Sequence, residues 1–160
     1  MPKTKKSLIV LGIDPGIADT GFGVVSFASQ KMEALAYGSI KTAAGQPMAK
    51  RLTILAADLK KIIARYRPEV VGVEQLFFAK NAKTAMAVGQ ARGVVLLIAA
   101  QSRLPIKELT PLKVKSALVG YGKASKLQIQ QMVKTLLKLE SIPKPDDAAD
   151  ALAVAICVGR

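Results

Sequence analysis

The chain has 160 residues and no histidine. That absence excludes a histidine general base, histidine-ligated zinc and a Ser-His-Asp triad. A single cysteine, Cys157, lies in an apolar C-terminal run, so neither a disulfide nor a thiolate metal cluster can form, and the residue reads as core filling. Any metal must therefore be held by carboxylates, whose hard oxygens suit Mg²⁺ or Mn²⁺. Tryptophan is absent and aromatics make up 4%, against 51% hydrophobic residues overall, so the core is aliphatic and alanine-rich, as in α/β proteins. No apolar run reaches about 18 residues, and Met1–Lys6 is basic without a cleavable signal pattern, so a soluble, cytoplasmic protein is expected. Acids are scarce too. Eleven Asp and Glu stand against 24 Lys and Arg, a net charge of +13 spread along the chain. Such a field favours a polyanion, above all nucleic acid, and binding without catalysis is the simplest explanation of the charge alone.

What is present begins with Ser7–Gly23. The apolar run Leu8–Ile13 stops at Asp14, followed by Pro15-Gly16, and a second apolar run resumes at Gly21. This pattern predicts a buried strand closed by a tight turn. An acid there is costly unless it meets a cation, a donor or solvent. Asp14 is thus either part of a metal or phosphate site or a cap on a hairpin turn.

Further along, Gly21–Ala28 and Lys31–Ile40 continue an antiparallel meander. Leu52, Leu55, Leu59, Ile62 and Ile63 recur at helical spacing between Pro47 and Arg67, and Pro68 ends that helix. Glu69–Val73 is a short apolar strand that runs into Glu74, a second strand ending in an acid. Gln75–Lys83 reads as loop, Thr84–Gln101 as a long helix apolar on most faces, and Leu104–Leu109 as a fifth strand. Thr110-Pro111 opens a helix through Leu118, Ser125 caps one to Leu139, and Asp146 or Asp147 opens the last. The long helix carries Gly89 and Gly93 four apart; its apolar faces serve the core alone or also a partner subunit. One domain over residues 1–160 is expected. The crossover helix after the meander should bring the fourth strand parallel to the first, with Asp14 and Glu74 at one sheet edge.

The eleven acids divide. Asp19, Glu33, Asp58, Glu69, Glu108 and Glu140 fall in loops or on polar faces. Asp14 and Glu74 close strands, and Asp146, Asp147 and Asp150 open the last helix, where Asp147 and Asp150 share one face. Helix-dipole capping accounts for Asp146 or Asp147 but poorly for Asp150, which an apolar run follows. Clustered acids in a basic protein invite a divalent ion. Two metals bridged by carboxylates hydrolyse a phosphodiester without histidine.

GIDPG with TGFGVV, VGVEQLFFAKNAKTAMAVGQARG and DDAADALAVAI together resemble the bacterial RuvC family of Holliday-junction resolvases, in the ribonuclease H-like superfamily, over about Leu8 to Gly159. The resemblance implies an α/β ribonuclease H-like fold with a five-stranded mixed sheet, three strands antiparallel and two parallel, flanked by helices. It implies a catalytic, metal-binding tetrad of Asp14, Glu74, Asp147 and Asp150 with two Mg²⁺ (Mn²⁺ substituting) that activate a water for in-line attack, leaving a 3′-hydroxyl and a 5′-phosphate. Asp146 departs from the family pattern; it is expected to cap the helix, with competition against Asp147 as a ligand the alternative. In the loop after Glu74, Phe77 matches the ring that stacks on a base at the crossover, with Phe78 a second candidate beside it; packing into the local core is the alternative for one of the two. Lys80 and Lys83 flank that pair as DNA contacts. Lys115 and Lys126 match basic residues facing the scissile backbone, and ordinary solvated lysines are the alternative. The resemblance further implies a homodimer acting on four-way junction DNA, symmetric paired nicks, cooperation with the RuvA–RuvB branch-migration complex, and service in recombination and repair. Competing readings are a ribonuclease H-like nuclease for another structured nucleic acid, a non-catalytic junction- or RNA-binding module, and an actin-like ATPase, which 160 residues are too few to supply.

Overall fold

Strand parity explains the architecture. In the computed structural model, which describes residues 6–75 and 81–160, β1 (Leu8–Asp14), β2 (Asp19–Ala28) and β3 (Lys31–Lys41) form the antiparallel meander. The chain then crosses through α1 (Met48–Tyr66) to β4 (Val70–Glu74), and through α2 (Ala82–Gln101) to β5 (Ile106–Leu109). Three helices follow: α3 (Pro111–Val119), α4 (Lys126–Leu136) and α5 (Asp146–Gly159). The sheet order is β3-β2-β1-β4-β5, with β4 parallel to β1 and β5 parallel to β4, which is the expected five-stranded mixed sheet.

Alternate residues of β1 face opposite layers. Leu11 and Ile13 join Leu55, Leu59, Val95 and Ile98 beneath α1 and α2, whereas Val10 joins Leu152, Ile156 and Val133 beneath α5 and α4. Val71 and Val73 of β4 likewise face α1 and α2, and Val70 faces α5. Counting on by twos, Asp14 and Glu74 fall on the α5 face, on neighbouring strands in register (Gly12 beside Gly72, Ile13 beside Val73).

The face under α5 is floored with glycine. A Cβ on Gly12 would lie 2.1 Å from the Ala151 carbonyl oxygen, and one on Gly21 would lie 2.0 Å from that of Asp147. Glycine inside a strand marks such a close backbone approach. The helix answers with small residues: Ala148, Ala149, Ala151, Ala153 and Ala155 are all buried. The result is a helix lying unusually close on the sheet, with its first turn over the end of β1.

Element ends follow local chemistry. Arg67 takes a left-handed conformation (φ 49°) ahead of Pro68 and stops α1. Thr110 caps α3, and Ser125 with Gln128 forms a capping box on α4. α2 begins two residues before the expected Thr84 because Asn81 accepts from the Lys83 amide. α4 ends at Leu136 rather than Leu139, where Lys138 turns to φ 53°. The expected aspartate cap on α5 is not formed: Pro145 occupies that position and no side chain caps it. Although α2 is long and apolar enough to span a membrane by length and composition, Ala91, Val95, Ile98 and Ala99 bury one face, and Arg92 pairs with Glu108 at 2.8 Å.

Candidate active site

Three elements deliver four carboxylates to one place. β1 ends in Asp14, β4 ends in Glu74, and the N-terminal end of α5 brings Asp147 and Asp150 over the strand ends. One oxygen from each of Asp14, Asp147 and Asp150 lies within 4.8 Å of the others. Glu74 lies outside that tightest trio but stands close enough to Asp14 and Asp150 for both to act on its ionisation.

The electrostatics reflect crowding of like charges in a half-buried site. Burial, then the charges of Glu74, Asp150 and Asp147, push the Asp14 carboxyl up from 3.8 to about 8. Burial also raises Glu74, helped by Asp150 and opposed by the Asp14 hydrogen bond, Lys115 and Lys126. Asp150 is raised by burial, with Lys126 working against that rise. Burial pulls the Lys126 ammonium down, but Asp150 and Asp146 outweigh it and leave the pKa raised, so the lysine stays charged.

Lys126 forks between two acids, 3.5 Å from Asp150 Oδ2 and 3.5 Å from Asp146 Oδ2. Gln130 Nε2 also donates to Asp146 Oδ1 at 3.2 Å. Asp146 is therefore neither a helix cap nor a member of the close trio; its side chain is 65% exposed against 27% for Asp150. Between α3, α4 and the carboxylates opens a cavity of about 240 Å³, lined by Glu74, Lys115, Lys126 and Asp150 and by apolar Val114 and Ile129. Of the four lysines singled out in the sequence, Lys115 and Lys126 thus border the acids.

Not every expected contact is placed. Lys83 is exposed in the first turn of α2 and does not line this cavity. Phe77, Phe78 and Lys80 lie outside the described residues. What the sequence reading missed is the seat of α5: Gly12 and Gly21 set its height, and the available signal was glycine recurring in otherwise β-branched strands.

An all-carboxylate donor set with oxygens this close fits a hard divalent cation. Burial, and then the charges of Glu74, Asp150 and Asp147, raise Asp14, a cost that a bound cation would relieve. A β3-β2-β1-β4-β5 sheet with acids at the ends of its parallel strands and on the covering helix defines the class: a ribonuclease H-like, metal-dependent nuclease.

The sequence profile of the family described as crossover junction endodeoxyribonuclease RuvC matches residues 10–158. The crossover junction endodeoxyribonuclease RuvC of Ruminiclostridium cellulolyticum is 53% identical over 153 residues, covering 96% of this chain and 92% of the relative. Thermus thermophilus RuvC superposes with a TM-score of 0.87 at 37% identity, covering 94% of this chain and 92% of that one. The same protein in complex with Holliday junction substrate gives 0.89 at 38%, with the same coverage. The chain belongs to the RuvC family of crossover junction endodeoxyribonucleases.

Proposed function

We infer that this protein resolves four-way DNA junctions by paired, symmetric nicks, in homologous recombination and DNA repair in the cytoplasm. The observation that carries the reading is the convergence of Asp14, Asp147 and Asp150, with Glu74 alongside, in a chain of this family. The similarity to a RuvC in complex with Holliday junction substrate supports the choice of DNA.

In this reading Asp14, Glu74, Asp147 and Asp150 are the catalytic carboxylates and hold two Mg²⁺, with Mn²⁺ as a substitute. When bound, the metals supply activation of the attacking water and charge stabilisation at the leaving oxygen. The protein's own share is positioning. β1 and β4 present two carboxylates from rigid strand ends, and α5 closes over them at a height set by glycine. Lys126 and Lys115, on the cavity wall, neutralise phosphate charge as the scissile backbone enters, and Lys126 exchanges its Asp150 contact for phosphate. The products carry a 3′-hydroxyl and a 5′-phosphate.

Phe77, with Phe78, stacks on bases opened at the crossover, and Lys80 and Lys83 contact the backbone nearby; such stacking contributes about 1–3 kcal/mol per base. A homodimer matches the two-fold symmetry of the substrate, and the exposed face of α2, with Met86 and Leu97 open, is its candidate surface. The RuvA–RuvB branch-migration complex is the expected partner machinery.

The test is cleavage of a labelled synthetic four-way junction, beside linear duplex and RNA–DNA hybrid, with and without Mg²⁺. Mg²⁺-dependent nicks confined to the junction are expected. Cleavage of linear duplex or hybrid at the junction's rate would refute the substrate assignment.

A further inference from the structure

The turn after Asp14 is tied down by a buried polar chain that lies outside the acid cluster. Three successive turn carbonyls are taken: Thr20 Oγ1 donates to Gly16 O, Thr42 Oγ1 donates to Ile17 O, and the Thr42 amide donates to Ala18 O at 3.0 Å. The Thr42 hydroxyl in turn accepts from Arg51 Nε at 2.9 Å, and Arg51 Nη2 reaches the Thr42 carbonyl oxygen at 3.4 Å. A guanidinium only donates, so the hydroxyl must spend its own proton on Ile17. The relay therefore has one direction, from α1 through Thr42 to the turn.

Its composition is costly. Thr42 and Arg51 are both 8% exposed, and no carboxylate pairs with Arg51 among the described residues. The residue also sits in the first turn of α1, where the helix dipole disfavours a cation. A buried unpaired charge at that end of a helix contributes poorly to stability. What it does accomplish is to polarise the hydroxyl that holds Ile17, because hydrogen bonds in a chain strengthen one another. Ile17 is itself packed against the α1–α2 core, so the turn is fixed on both its polar and apolar sides.

We propose that Thr42 and Arg51 are positioning residues for the carboxylate site, locking the Pro15–Ala18 turn so that Asp14 keeps its place against Asp147 and Asp150. The proposal rests on the nuclease reading above and adds a device outside the acid cluster. Loss of the relay lets the turn move while β1, anchored by its ladders to β2 and β4, stays folded.

The experiment uses the full chain and the variants Thr42→Val, Thr42→Ser and Arg51→Met. Single-turnover cleavage of a four-way junction, junction affinity, thermal melting and hydrogen exchange of the 14–20 segment in metal-free protein are measured for each. Thr42→Val is expected to cut about 10–100-fold more slowly with junction affinity within about twofold of wild type, since a displacement near 1 Å suffices for such a loss. Exchange in segment 14–20 should quicken, and Thr42→Ser, which keeps the hydroxyl, should restore cleavage to within about threefold. Arg51→Met should slow cleavage in the same direction, and it serves as the test if Thr42→Val does not fold. Wild-type-like cleavage by Thr42→Val and Arg51→Met, or a Thr42→Ser variant as slow as Thr42→Val, overturns the proposal. Wild-type protein that cuts no junction overturns the nuclease reading instead, and the exchange measurement then still reports whether the relay holds the turn.

Discussion

Substituting Gly21 by alanine tests whether the height of α5 sets the site. The new Cβ would stand 2.0 Å from the Asp147 carbonyl oxygen, 2.4 Å from its carbonyl carbon and 2.9 Å from its Cβ. Two of these three atoms are backbone, so no rotamer change relieves the clash. Real Cβ contacts essentially never fall under 3.0 Å, so the first turn of α5 must retreat from β2 by about 1 Å, the difference between 3.0 and 2.0 Å. Asp147 and Asp150 ride on that end of the helix and recede from Asp14, whose paired position across the sheet is Gly21 itself. Overpacking of this kind costs about 1–3 kcal/mol. For a chain of this size that lowers the melting temperature by about 2–4 °C per kcal/mol, leaving the protein folded at assay temperature. A displacement near 1 Å of groups that hold the reacting centre lowers turnover by about 100-fold. The assay is single-turnover cleavage of a four-way junction, with melting and junction affinity measured alongside, and with Gly45→Ala as control because nothing lies within 4 Å of a Cβ there. Turnover of Gly21→Ala within about threefold of wild type would refute the claim that glycine-set helix height governs the carboxylates.

Three further outcomes follow from the site. Asp14 holds its proton up to about pH 8 in the folded metal-free protein but only to about 3.8 in the unfolded chain. Its contribution to stability is therefore full below about pH 4 and lost as pH rises toward 8. Melting of chelator-treated protein should fall across that window, and Asp14→Asn should flatten the decline; an equally steep decline in the variant contradicts the assignment. Asp146→Asn should cleave within about threefold of wild type, because Asp146 is turned to Lys126 and Gln130, whereas Asp147→Asn should lose about 100-fold or more; equal losses would return Asp146 to the list of ligands. Junction affinity should fall linearly on a log–log plot against salt, and a flat response would remove phosphate contact as the purpose of the +13 charge.

Periodicity and turn chemistry carried much of the fold. Apolar runs ending in Asp14 and Glu74, with a helical crossover between them, were enough to require neighbouring parallel strands, and parity then put both acids on one face. The Asp147–Asp150 spacing likewise shows in the sequence, because three residues along a helix share a face. The height of α5 was not legible, since it depends on which strand positions oppose which helical backbone atoms. Asp146 misled for a related reason: an acid at a helix start looks like a cap, but Lys126 and Gln130 arrive from α4, distant in sequence. Nothing local marks Arg51 as buried, because its burial comes from Thr42 and the turn beyond it. Local signals fixed the elements and the neighbours of the first strand; contacts between elements far apart in sequence decided the rest.

The most direct measurement of the central claim separates cutting from binding. Wild-type protein and the variants Asp14→Asn, Glu74→Gln and Asp150→Asn are each mixed with a labelled four-way junction, scored for complex formation without metal and for nicks after adding Mg²⁺. The account predicts that all four bind with similar affinity and that only the wild type produces paired nicks. Nicking by all three variants at the wild-type rate would contradict a carboxylate-held metal site at the ends of β1 and β4.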